Sequence, residues 1–164
     1  VSLSSDSCLE IYAPQVNPEK LHTNDIAELC TLPDGSKEFR ILGRKDNVID
    51  SGGIKIQAEE VERLLRPHLS CGFMITKVPD ARLGEAVTIL IESDDAYLAL
   101  SICKHVLPKH WVPRHVLPIS HIPLTETGKP ARAEAEALAK KLLSLTTLNS
   151  LNSLNSTKLS ICET

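Results

Sequence analysis

Apolar and polar positions alternate along this chain in short runs, and each change of period marks an element. Residues 9–13 read as a strand ended by Pro14. Residues 26–29 and 38–42 alternate around Pro33, Asp34 and Gly35, where proline presets φ and glycine accepts a positive φ. They predict a hairpin with one buried face. Residues 48–50 and 54–56 flank Gly52 and Gly53, a pair that takes positive φ at both centres of a tight turn, so a second hairpin is predicted. The period then becomes helical. Residues 58–65 put Val61, Leu64 and Leu65 on one face, with Glu59, Glu60, Glu62 and Arg63 outside, and Pro67 stops the helix.

Residues 71–78 and 85–91 predict two core strands, the second almost continuously apolar, and residues 114–119 a third. Helices are predicted over 96–106 and 131–143, the latter rich in Ala, Glu, Leu and Lys. The expected class is α+β, a small domain with a three-stranded sheet, an extra N-terminal β-hairpin and flanking helices. Gly43 and Arg44 start a fresh pattern, so residues 1–44 are expected to form a different unit from residues 45–143. Residues 144–164 carry three tandem Leu-Asn-Ser triplets and are expected to be frayed or disordered, because such a segment offers no useful apolar face.

With 164 residues the chain has room for one fair-sized core. It opens on Val1, with a polar, Ser-rich start, and is expected to be a segment of a longer protein. The formal net charge of −3, with Lys and Arg scattered, leaves no electrostatic footprint for nucleic acid. No run of eighteen apolar residues and no signal-peptide pattern occur, so no membrane span is expected and a cytoplasmic location is the default. The five cysteines are far apart and lack a CxxC spacing, which argues for reduced thiols, with Cys71 and Cys103 in the core. His105, His110, His115 and His121 lie close together. Pro108, Pro113 and Pro118 break the segment and prevent a helical HxxxH face, so no metal site is expected.

Three motifs occur in order. Residues 43–62 read GRKDNVIDSGGIKIQAEEVE, His22-Thr-Asn-Asp25 lies upstream, and Pro123-Leu-Thr-Glu-Thr-Gly-Lys-Pro-Ala-Arg132 lies downstream. A phosphate-binding Walker loop is excluded in the last of these, since it needs glycine where Pro123 stands and Ser or Thr where Pro130 stands. On spacing alone Lys129 is an ordinary exposed lysine ahead of a helix that Pro130 helps to start.

Together the motifs resemble those of the adenylate-forming enzymes, which include acyl-CoA synthetases, luciferases and the adenylation domains of peptide synthetases. The resemblance covers roughly residues 9–143. It implies the mobile C-terminal lid of an acid-CoA ligase that forms an acyl-adenylate from ATP and passes the acyl group to CoA, with similarity greatest to o-succinylbenzoate-CoA ligases of menaquinone synthesis. The alternatives are another acyl- or aryl-CoA ligase, a peptide-synthetase adenylation domain, or a noncatalytic binding module that keeps the fold.

In that family Lys129 is the adenylation lysine, whose ammonium reaches both the carboxylate and the α-phosphate. Asp25 grips the ribose hydroxyls, although His22 and Asn24 stand where the family has an aromatic or basic residue and a glycine. Arg44 also reaches the nucleotide, Asp46 is the hinge, Gly52 and Gly53 approach the pantetheine arm, and Lys55 is a candidate for the CoA phosphates. The resemblance implies a partner in the large N-terminal domain, which holds the acyl pocket and the Mg2+ site. The isolated fragment is therefore expected to be inactive.

Overall fold

A computed structural model describes residues 1–159, with side chains through residue 146. It contains two sheets, and the local chemistry at each turn explains their hairpins. In the first sheet the order is β1-β2-β3-β4, from Ser2–Leu3, Cys8–Ala13, Asn17–Thr31 and Lys37–Arg44. At the β3-β4 turn Gly35 has φ +84°, and Asp34 Oδ1 accepts from the Ser36 backbone N–H at 2.9 Å. This is an Asx-type turn that the Pro-Asp-Gly sequence favours. The predicted hairpin is thus present, and β1 and β2 widen it to four strands.

The second sheet has five strands: β5 (Val48–Ser51), β6 (Ile54–Gln57), β7 (Phe73–Asp80), β8 (Gly84–Ile91) and β9 (His115–Pro118). The α+β class agrees with expectation, and the sheet is wider than the three strands expected. The reason lies in long-range pairing: the glycine hairpin joins the core through Ser51 opposite Gly84, and β9 lies parallel to β8 after the crossover helix α2 (Ala96–Val106). Helix α1 (Ala58–Leu65) follows β6 directly.

Both faces of the β7-β8 hairpin are covered. Val87, Ile89 and Ile91 pack with Val61 and Leu65 of α1 and with Ala99 and Cys103 of α2. Ala86 and Leu90 pack with Ala135 and Ala139 of α3 (Arg132–Leu159), whose small side chains let the helix approach closely. A strand buried on both faces reads as a continuous apolar run, which is why β8 does. Cys103 is fully buried, and burial pushes its thiol up to about 11, so it is chemically inert.

Helix α3 continues past residue 143, where the sequence predicts fraying. Its backbone stays helical through the Leu-Asn-Ser triplets, which contain neither proline nor glycine to stop propagation. Cys162 and the rest of residues 160–164 lie outside the described residues.

The two sheets differ in cover. Leu21, Leu29, Phe39 and Ile41 of the first sheet remain exposed, whereas β8 is closed on both sides. Amide hydrogen exchange is accordingly expected to be faster over residues 9–42 than over 71–91. Equal protection of the two regions would show that the first sheet is held as firmly as the core.

Candidate functional site

Between the last strand of the first sheet and the first strand of the second lies one 3-10 turn, Lys45–Asn47, with extended residues on either side. Asp46 sits in this turn. The β3-β4 register sets Asp25 opposite Arg44, and the Arg44 guanidinium reaches two carboxylates: Asp46 Oδ2 at 3.0 Å from Nη2 and Asp25 Oδ1 at 3.4 Å from Nη1. Asn24 Nδ2 donates to Asp46 Oδ2 at 3.5 Å. All three charged groups face solvent, so their pairing contributes little to stability and yields readily to a ligand. Asp25 offers an acceptor-only carboxylate suited to a diol, and Arg44 a fork suited to phosphate.

At the far end of β5, Gly52 and Gly53 have φ of +63° and +85°. Added Cβ atoms would meet different surroundings: at Gly52 one would crowd Leu83 at 3.2 Å, while at Gly53 it would meet nothing within 4 Å. Gly53 therefore marks the open side of the turn. Lys55 does not stand free there; its ammonium is bonded to Asp50 on the facing strand. That ammonium holds the Asp50 carboxyl below its ordinary range, helped by the Gly53 N–H.

Lys129 lies on a separate turn. Gly128 has φ +75° and donates to the Thr125 carbonyl, while the Lys129 N–H donates to Thr125 Oγ1 at 3.1 Å. The Lys129 side chain is exposed, and among the described residues its ammonium makes no hydrogen bond or ion pair. This turn packs at the Gly72 and Glu92 end of the β7-β8 hairpin, where Glu92 Oε1 accepts from the Ile122 N–H and where Leu124 and Pro130 line the same groove as Gly72. Gly52 donates to the Leu83 carbonyl at the opposite end. The two turns lie toward opposite ends of β7, whose eight residues make a strand about 25 Å long.

Sequence reasoning missed Arg132. Its guanidinium grips Glu62 through two bonds of 2.9 and 2.8 Å and also donates to the Ile75 carbonyl at 3.1 Å, while Glu62 Oε1 accepts from the Ile75 N–H. Glu62 is therefore buried, 8% exposed, and does not lie on the outer face of α1 as expected. The partner that overrides the helical pattern is far away in sequence. Burial is the largest influence on Arg132 and would lower its pKa, but the bonds and charge of Glu62, with the charge of Glu59, raise it on balance. The signal available in the sequence was the basic residue three positions after Lys129 in the last motif. Among the described residues no three His, Cys, Asp or Glu side chains group as metal ligands.

No protein-family model matches the chain. It is 32% identical over 124 residues to naringenin synthase of Pestalotiopsis fici, a match that covers 71% of this chain and 5% of that protein. Among solved structures, the ATP-bound MatB of Rhodopseudomonas palustris superposes with a TM-score of 0.65 at 21% identity, over 77% of this chain and 25% of that one. An AMP-forming acyl-CoA synthetase/AMP-acid ligase II-like protein of Dyadobacter fermentans superposes with a TM-score of 0.50 at 24% identity, over 81% of this chain and 39% of that one. The chain thus spans a small part of the proteins it matches, and it has the mixed α+β fold of the C-terminal domain of adenylate-forming enzymes.

Proposed function

We propose that residues 45–143 are the mobile lid of an AMP-forming acid-CoA ligase, that residues 1–44 are the edge of its large N-terminal domain, and that residues 144–164 are an appendage. The observation that carries this reading is the placement of two chemically different turns at opposite ends of one hairpin. A free ammonium at Lys129 and the open glycine turn at Gly53 lie toward opposite ends of β7, a strand about 25 Å long. A single reaction centre has no use for both at once; a lid that presents first one end and then the other does. The single 3-10 turn around Asp46, with extended residues on either side, supplies a pivot.

The two steps follow from those groups. In the first, an oxygen of the acid's carboxylate attacks the α-phosphorus of ATP and pyrophosphate leaves. Lys129 stabilises the charge on both reacting partners, while Asp25 and Arg44 hold the ribose and phosphate. In the second, the CoA thiolate attacks the carbonyl carbon of the acyl-adenylate, the thioester bond forms and AMP leaves. Gly53 admits the pantetheine arm because a Cβ there would narrow its path. Lys55 reaches CoA phosphate only on giving up Asp50. Mg2+ would supply charge neutralisation of the triphosphate and belongs to the large domain in this reading.

As the acid we propose o-succinylbenzoate, on the resemblance that the sequence of residues 9–140 suggests and with no support for this acid among the proteins the chain matches. The test is to compare kcat/KM for o-succinylbenzoate with that for a panel of fatty and aryl acids in the parent enzyme. A preference for another acid would correct the substrate and leave the reaction class standing. The 164-residue chain alone is expected to fold and to give no ATP-pyrophosphate exchange above a Lys129→Ala control, because triphosphate and acid ligands lie elsewhere. Exchange above that control would overturn the assignment as a lid.

A further inference from the structure

Glu59 stands in the first turn of α1, and each of its carboxylate oxygens serves a different part of the chain. Oε1 accepts from Asn47 Nδ2 and lies 3.7 Å from Arg132 Nε, and Oε2 accepts from Gln57 Nε2. The same Gln57 nitrogen donates to the Arg44 carbonyl at 3.0 Å. Arg44 lies two residues before Asp46 and Asn47 directly after it, so both sides of the pivot are tied to one carboxylate, Asn47 directly and Arg44 through Gln57. On the other side, Arg132 divides its donors between Glu62 and the Ile75 carbonyl, with its Nε turned to Glu59. Only Pro130 and Ala131 separate Arg132 from Lys129. That link is stiff: proline fixes φ, and Ala131 is buried with its N–H bonded to the Pro123 carbonyl at 3.0 Å.

We propose that Glu59 couples the pivot at Asp46 to the arm that carries Lys129, which makes Asn47, Gln57, Glu59 and Arg132 positioning residues for adenylation. The inference rests on the reading of Asp46 as hinge and Lys129 as adenylation lysine. Rotation of the 3-10 turn at Asp46 moves Asn47 relative to α1 and takes its amide bond from Glu59 Oε1, while the Arg44 carbonyl leaves the Gln57 amide, which stays on Glu59 Oε2. A carboxylate oxygen that loses its amide donor attracts a neighbouring guanidinium more strongly. Arg132 is that neighbour, and the 3.7 Å separation leaves it room to approach. Its shift passes through Pro130 and Ala131 to Lys129. Gly43 provides an independent handle, since a Cβ there would overlap the Gln57 amide and stand 2.6 Å from Glu59 Oε2. Gly43→Ala therefore displaces both side chains while deleting no polar group, and it also strains the backbone locally, because Gly43 has φ +157°.

The first test uses the 164-residue chain and reads backbone 1H-15N shifts of Gly128, Lys129 and Ala131. Asn47→Ala and Gly43→Ala are each expected to move these signals, and neither should do so in a Glu59→Gln background. Unmoved signals in the single variants, or the same movement with Glu59→Gln present, overturn the coupling. The second test uses the parent ligase. Gly43→Ala and Glu59→Gln are expected to lower kcat for adenylation about tenfold with the KM for ATP unchanged, and to spare thioester formation from supplied adenylate. Equal loss in both half-reactions overturns the positioning role. A Lys129→Ala control separates the two levels: if it slows adenylation selectively and Glu59→Gln does not, the coupling fails alone; if it shows no selective loss, the lysine reading fails and the positioning role with it.

Discussion

Lys129→Ala in the parent ligase is expected to slow adenylation about a hundredfold and to leave conversion of supplied acyl-adenylate to thioester nearly unchanged. In the proposed reading the ammonium acts on charge that builds on the carboxylate and the α-phosphate in the first transition state, in a site from which the closed lid would exclude water. Loss of one such donor costs about 3 kcal/mol by analogy with an oxyanion hole, which is the factor of a hundred. Nothing in the fold offers a substitute, because Lys129 stands on its own turn and its ammonium has no partner among the described residues. Asp46→Pro is expected to do the reverse. Proline fixes φ in a turn whose neighbours are already extended, and it also restricts Lys45 before it. One closed arrangement survives and the other is lost, so adenylate forms and thioester does not. Assay of the two half-reactions separately for both variants decides the matter; equal slowing of both steps by each variant would make the stretch around Asp46 a plain connector.

Much of this architecture was legible because local chemistry fixes it. Gly52 and Gly53 announce their turn, since few other residues take positive φ twice in succession. Helices Ala58–Leu65 and Ala96–Val106 match their predicted spans, because a 3.6-residue period runs into Pro67 and Pro108. What failed depended on distant partners. The width of the second sheet rests on Ser51 meeting Gly84 and on β9 returning to β8, neither of which leaves a mark on the strands themselves. Glu62 reads as a surface residue because a carboxylate among apolar neighbours is ordinarily exposed; only Arg132, seventy positions away, makes its burial tolerable. At the candidate site the sequence picked out Asp25, Arg44 and Asp46 separately; the β3-β4 register brings Asp25 to the Arg44 guanidinium, and the turn that follows brings Asp46 to it. It singled out neither Glu59 nor Arg132, because their neighbours come from three elements at once.

Arg132→Leu is expected to destabilise the chain by about 3 kcal/mol, the lower end of what a broken buried ion pair costs, since the Arg132 side chain keeps 22% of its surface in water. The loss arises less from the bond than from what remains: Glu62, enclosed between α1 and β7, keeps only the Ile75 N–H as a donor. Helix α3 then loses its polar clamp to α1 and β7 and retains only Ala135, Ala139 and their apolar neighbours against Met74, Val78 and Leu90. Adding Glu62→Leu removes the orphaned carboxylate, so the double variant should regain a large part of the loss and lie above Arg132→Leu in stability. Urea unfolding measures this through the midpoint at constant m-value. A double variant no more stable than the single one would mean that Arg132 contributes through packing of its aliphatic stem, and that the carboxylate beneath it is well enough solvated to stand alone.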